Sequence, residues 1–158
     1  MPLAAGNWSR TTQMDIVAVM LAAVILLAMS LIGNALAPVQ LTTISQSEHS
    51  GVEEARQLVV RTPEAWKALW QEHAPGQPMP AVDFSKSMVV GVFLGSRNTS
   101  GYRVTITGIE SDGSGAAVTY REERPAARDI LAQVITFPHH LVSVERIGGE
   151  VKFVPAGR

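Results

Sequence analysis

Apolar residues fall along this chain in three rhythms. Residues 16–32 (IVAVMLAAVILLAMSLI) carry no charge, glycine or proline; Trp66, Leu69, Trp70 and His73 recur at i, i+3, i+4 and i+7; and from residue 88 onward short apolar runs are either continuous or alternate with polar residues. These rhythms predict a membrane-directed helix, an amphipathic helix and a series of strands.

The strand signals begin with residues 52–61, which end in Leu58, Val59 and Val60. Thr62, Pro63 and Glu64 then mark a helix start: an N-cap, a proline where the missing N–H costs nothing, and an acid in the positive first turn. The face made by Trp66, Leu69 and Trp70 is expected to dock that helix on a sheet, with Phe84 joining the same core. Pro75, Gly76 and Pro78 close the helix and open a proline-rich loop over 74–82. Residues 88–94 are unbroken apolar sequence, as in a central strand covered on both faces.

A loop bounded by Gly95 and Gly101 follows, and then Tyr102, Val104 and Ile106 alternate with polar residues. Residues 111–115 (SDGSG) read as the turn of an antiparallel hairpin between strands 102–109 and 116–121. Residues 122–130 read as an exposed loop, 132–137 and 140–147 as strands, and Gly148-Gly149 as a hairpin turn into a last strand at 151–154. The sum is about seven short strands and one packed helix, an α+β domain built on a mostly antiparallel sheet.

The apolar segment fixes the organisation. As a helix, residues 16–32 would be roughly 26 Å long, near the ~30 Å hydrocarbon core of a bilayer. Both a permanent anchor and a cleaved signal fit: Ala35-Leu36-Ala37 has the small-x-small form of a cleavage site, but Pro38 opposes a cut after Ala37, and the run exceeds the usual signal core of about 7 to 15 residues. Arg10 precedes the run and no Lys or Arg follows it until Arg56, so the basic-residue bias sets the C-terminal part outside the cytoplasm. The expected organisation is a cytoplasmic tail at 1–13, an anchor or signal at 14–37, a polar spacer at 38–51 and an exported domain at 52–158.

The 158 residues include no cysteine, which excludes disulfides, thiol catalysis and a lipid-modified cysteine. A net charge of −1 with dispersed Lys and Arg gives no electrostatic footprint for nucleic acid. No nucleophile elbow, phosphate loop or paired-histidine zinc helix is present. His139 and His140 would point to opposite faces of a strand and so do not share a metal. No catalytic residue, metal site or cofactor is expected. The candidate site is the 95–102 loop: Arg97, Asn98, Thr99 and Ser100 as the contacts to a partner, with Gly95, Gly101 and Tyr102 shaping and supporting them. Tyr102, in phase with Val104 and Ile106, is expected to be an anchor facing inward.

Several short motifs, in order, resemble the PrcB C-terminal domain family. They are Trp66 with Leu69-Trp70; Asp83-Phe84 with Met88-Val89-Val90; Gly95 followed by Thr99-Ser100-Gly101-Tyr102; Pro125 after an acidic pair; and residues 136–142 (TFPHHLV). The resemblance implies a non-catalytic extracytoplasmic domain that binds or stabilises another protein, an exported protease among the candidates. The chain departs from the family in having Ser100 where a Gly-Gly-Tyr triplet is usual, and the apolar segment where a lipid-bearing cysteine would stand. The 98–102 loop, together with Arg124-Pro125, is also similar to loops of chagasin-like inhibitors of cysteine proteases, although Pro is missing after Asn98 and Ala126 replaces an aromatic. That similarity implies inhibition of a protease as the alternative function.

Overall fold

The computed structural model describes residues 36–157. The tail at 1–13, the apolar run at 16–32 and nearly all of the 14–37 segment lie outside these residues; among the described ones, no helix is long and apolar enough to cross a membrane. In chain order the elements are β1 (Ala37–Pro38), β2 (Leu41–Ser47), β3 (Ala55–Val60), α1 (Pro63–His73), β4 (Ser87–Leu94), β5 (Arg103–Ser111), β6 (Ala116–Glu123), β7 (His139–Glu145) and β8 (Val151–Pro155). The strands form two four-stranded sheets, ordered β1-β5-β6-β8 and β2-β7-β4-β3.

Three layers result, with β4 supplying both cores. Met88, Val90, Val92 and Leu94 meet Val104, Ile106, Ile109 and Val118 between the sheets. Val89 and Phe93 point the other way and pack with Leu141 against Trp66, Leu69, Trp70 and Phe84 beneath the helix. Every second residue of β4 therefore serves a different layer, which is why its sequence is apolar without alternation. Trp66, Leu69, Trp70 and Phe84 are all buried.

Helix α1 starts where its sequence demands: Thr62 caps it by accepting from the Ala65 N–H, and Pro63 stands in the first turn. The proline-rich loop then satisfies the two indoles. Trp66 Nε1 donates to the Pro80 carbonyl at 3.0 Å and Trp70 Nε1 to that of Gln77 at 3.1 Å, so both rings are buried without losing a hydrogen bond.

Three expectations are corrected. The stretch read as a spacer at 38–51 holds one of the two residues of β1 and all of β2, so the folded unit begins by Leu36 rather than at residue 52. Strand β2 was hidden by a bulge between Thr43 and Ser45, which breaks the period-two pattern. Residues 132–137 make only an isolated bridge, Arg97 with Thr136, and are otherwise irregular. Finally, Gly148-Gly149 does not turn a hairpin. β8 crosses to the other sheet and lies parallel to β6, pairing Val151 with Ala116 and Pro155 with Tyr120. Apart from this parallel pair, the described ladders are antiparallel.

The strand ends define two poles. At one, β1 lies beside Glu110 and Ser111 at the end of β5, near the loop after β7. At the other, the start of β5 meets the 95–102 loop, the 47–51 segment after β2 and the long connection from β6 to β7.

Candidate functional site

The 95–102 loop is held by glycines at both of its ends. Gly95 has φ +73°, and a Cβ there would lie 2.6 Å from the Ala55 nitrogen; Gly101 has φ +92° and sits against Pro125 and Leu131. The Gly101 N–H donates to Glu48 Oε1 at 2.9 Å. Glu48 also accepts at its carbonyl from the Phe137 N–H, so one residue of the expected spacer fastens two loops.

Of the residues expected to contact a partner, Arg97 is the most constrained. Its Nη1 donates to the carbonyls of Leu94 (2.7 Å) and Ser96 (3.0 Å), its Nη2 is 3.6 Å from Glu122, and its guanidinium lies 5.5 Å from the Tyr102 ring centroid. Backbone bonds with Thr136 add to this at 2.8 Å in each direction. Arg97 is thus the brace of the loop. Thr99 accepts at its carbonyl from Thr136 Oγ1, while Ser100 bonds Ala132 through both its backbone N–H and its hydroxyl. Asn98 is exposed. Tyr102 is half-buried, stacked under Arg97 rather than sealed in the core with Val104 and Ile106.

Beside the loop an open cleft of about 440 Å³ lies between edge strand β3 and β6, lined by Arg56, Gln57, Arg97, Tyr120 and Glu122 among others. Gln57 donates to the Tyr120 hydroxyl at 2.8 Å across it. Its charges are matched internally, Arg97 to Glu122 and Arg56 to Glu72. A cleft of this kind supplies hydrogen bonds and shape.

All four histidines of the chain gather near the same pole. His140 faces the gap between the sheets. Its Nδ1 accepts from the Ile106 N–H at 2.8 Å, so Nε2 carries the proton and donates to Thr43 Oγ1 at 3.0 Å. His139 faces the helix layer, 2.8 Å from Ser45 Oγ through Nε2, and its Nδ1 is buried without a partner. Its ring meets that of His73, whose Nδ1 is 2.8 Å from Ser50 Oγ. Burial lowers the pKa of His73 and His140. Burial, and next the proximity of His73, pushes His139 down to about 3. These are neutral structural rings, and the adjacent pair does diverge to opposite faces. Among the described residues, no cluster of three or more His, Asp, Glu or Cys is placed to hold a metal ion.

The segment from Glu48 to Ser50 and the exposed apolar residues between Pro125 and Pro138 escaped the sequence reading. Only the second left a signal: Ile130, Val134 and Ile135 are apolar without belonging to a paired strand.

No curated protein and no solved structure matches the chain. A family model does: the one described as PrcB C-terminal matches residues 88–145. The match runs from β4 to β7 and takes in both the 95–102 loop and the long β6–β7 connection, while α1 lies outside it. Residues 88–145, a little over a third of the chain, are thus similar to the PrcB C-terminal family.

Proposed function

We propose that this chain is a non-catalytic, membrane-tethered extracytoplasmic adaptor that binds another protein, an exported protease being the partner that the resemblance to the PrcB C-terminal family suggests. The observation that carries the reading is the convergence of three segments at one pole: Glu48 joins the 95–102 loop to Phe137, and Ser100 and Thr136 join it to the β6–β7 connection. A surface assembled from loops on a rigid two-sheet scaffold suits recognition. The apolar run at 16–32, with basic residues before it, supports the tether and the outward orientation.

Crosslinked capture from membranes tests the reading. The wild-type chain should retain a specific partner, and Asn98→Ala should weaken retention without lowering the melting temperature, since Asn98 is exposed. Recovery of no partner by the wild-type chain would sink it.

One contact favours a second reading, inhibition of a papain-like protease. Gly101 packs on Pro125, which sets the 98–102 loop beside the Arg124-Pro125 turn as a bipartite wedge. The full chain would then slow papain at micromolar concentration, and absence of inhibition would dispose of this alternative.

A further inference from the structure

The long connection between β6 and β7 is fastened along one side only. Ala132 accepts at its carbonyl from the Ser100 N–H (3.0 Å) and donates to Ser100 Oγ (3.1 Å), and Thr136 exchanges backbone bonds with Arg97. Ala132 and Thr136 thus run antiparallel to Ser100 and Arg97, but with one more residue between them, so the segment bows outward. On the bow, Gln133, Val134 and Ile135 make no backbone hydrogen bond to the protein among the described residues. Val134 is 50% and Ile135 66% exposed, and nearby in sequence Ile130 is fully exposed.

We infer that residues 130–136 form a docking ledge for an extended, apolar segment of a partner protein, which adds its main chain to residues 133–135 and seats side chains against Ile130, Val134 and Ile135. This rests on the adaptor reading and names its contact surface. Unpaired main-chain donors and acceptors beside apolar side chains match a strand, which supplies both kinds of group at once. Charge adds a preference. Arg124 is paired with Glu122 and Arg103 with Glu123, whereas exposed Arg128 is in no ion pair among the described residues, so an acidic residue flanking the partner's apolar segment fits. A lipid surface fits less well, since it offers nothing to those main-chain groups. Ala37, in the first described strand, pairs with Ser111 at the opposite end of the nine-residue β5, roughly 26 Å away at about 3.3 Å per residue.

Selection of displayed random peptides on the purified full chain, followed by N-methyl scanning of the winners, tests the ledge. The expected result is a family of apolar peptides with a flanking acid. They should bind at least about tenfold more weakly to Val134→Asp/Ile135→Asp and to Ile130→Ser, and lose binding when alternate peptide N–H groups are methylated. Both variants change exposed side chains, so unchanged melting shows that the fold is retained. The inference is overturned by equal binding to wild type and variants, by tolerance of methylation at every position, or by failure to select any peptide. It is also overturned if the variants abolish binding to phosphatidylglycerol vesicles while leaving peptide binding intact. A partner captured equally well from membranes by the wild-type chain and by Val134→Asp/Ile135→Asp removes the ledge and leaves the adaptor reading standing; no partner for either removes both.

Discussion

His73 at the end of the helix and His139 at the start of β7 meet ring to ring, with centroids 4.3 Å apart and planes inclined at 67°, in a cluster closed by Phe93 and Trp70. Two ionisable rings packed this closely tolerate at most one charge, and burial disfavours even that.

Stability should therefore fall as the pH is lowered. His139 titrates at about 3 in the folded chain, against about 6.5 when unfolded, so between these values the unfolded state binds more protons. The stabilisation is complete above the unfolded value and is lost as pH falls below it, at about 1.4 kcal/mol per pH unit. At about pH 5, His139 alone accounts for a loss on the order of 2 kcal/mol, with His73 and His140 acting in the same direction. Urea unfolding at about pH 7.5 and about pH 5 measures it. His139→Gln should shrink the difference, and an undiminished difference would assign the acid sensitivity elsewhere.

Removing the Glu48 carboxylate should loosen the loop pole selectively. In Glu48→Ala the Gly101 amide loses its acceptor, at a cost within about 1 kcal/mol because the bond is exposed. Hydrogen exchange should accelerate at Gly101 while the amides of β4 stay protected. Equal exchange in both proteins would show that Glu48 is a bystander.

Two glycines of similar dihedral angle should respond differently to alanine. Gly95 (φ +73°) abuts the Ala55 backbone, while Gly113 (φ +84°) has open space where a Cβ would project. Gly113→Ala should cost about 1 kcal/mol from the dihedral angle, and Gly95→Ala about 2 kcal/mol or more because backbone must move as well. Thermal denaturation of the pair decides the matter, and equal costs would discount the close approach.

Trp66→Ala should cost about 3 to 5 kcal/mol, since the indole is 1% exposed and its loss opens a cavity under the helix. Trp66→Phe should recover part of this but leave the Pro80 carbonyl unpaired. A loss below about 1 kcal/mol for the alanine variant would contradict the packing described.

The sequence was most informative where burial and periodicity coincide. Thr62 and Pro63 marked the helix, its tryptophans marked the face it buries, and residues 88–94 marked a strand flanked by two layers. It was mute where pairing depends on distant partners. Nothing local in Val151 or Phe153 states that β8 lies parallel to β6 in the other sheet, and Thr43 and Ser45 look like linker residues until their hydroxyls meet the rings of His140 and His139. At the loop, the glycines announced a special backbone. The locking of Arg97 by three carbonyls and an acid was invisible, because those partners belong to other strands or depend on the loop's own shape.

The bulge in β2 has a consequence for misassembly. An edge strand as polar as LTTISQS has little apolar surface to hold its register, and a slip by two residues would keep every side chain on its own face. The extra residue between Thr43 and Ser45 sends these hydroxyls to opposite sides of the sheet, where each finds a different histidine. No shifted alignment satisfies both rings, so the bulge works as a key that admits a single position and protects this edge against strand exchange with another copy.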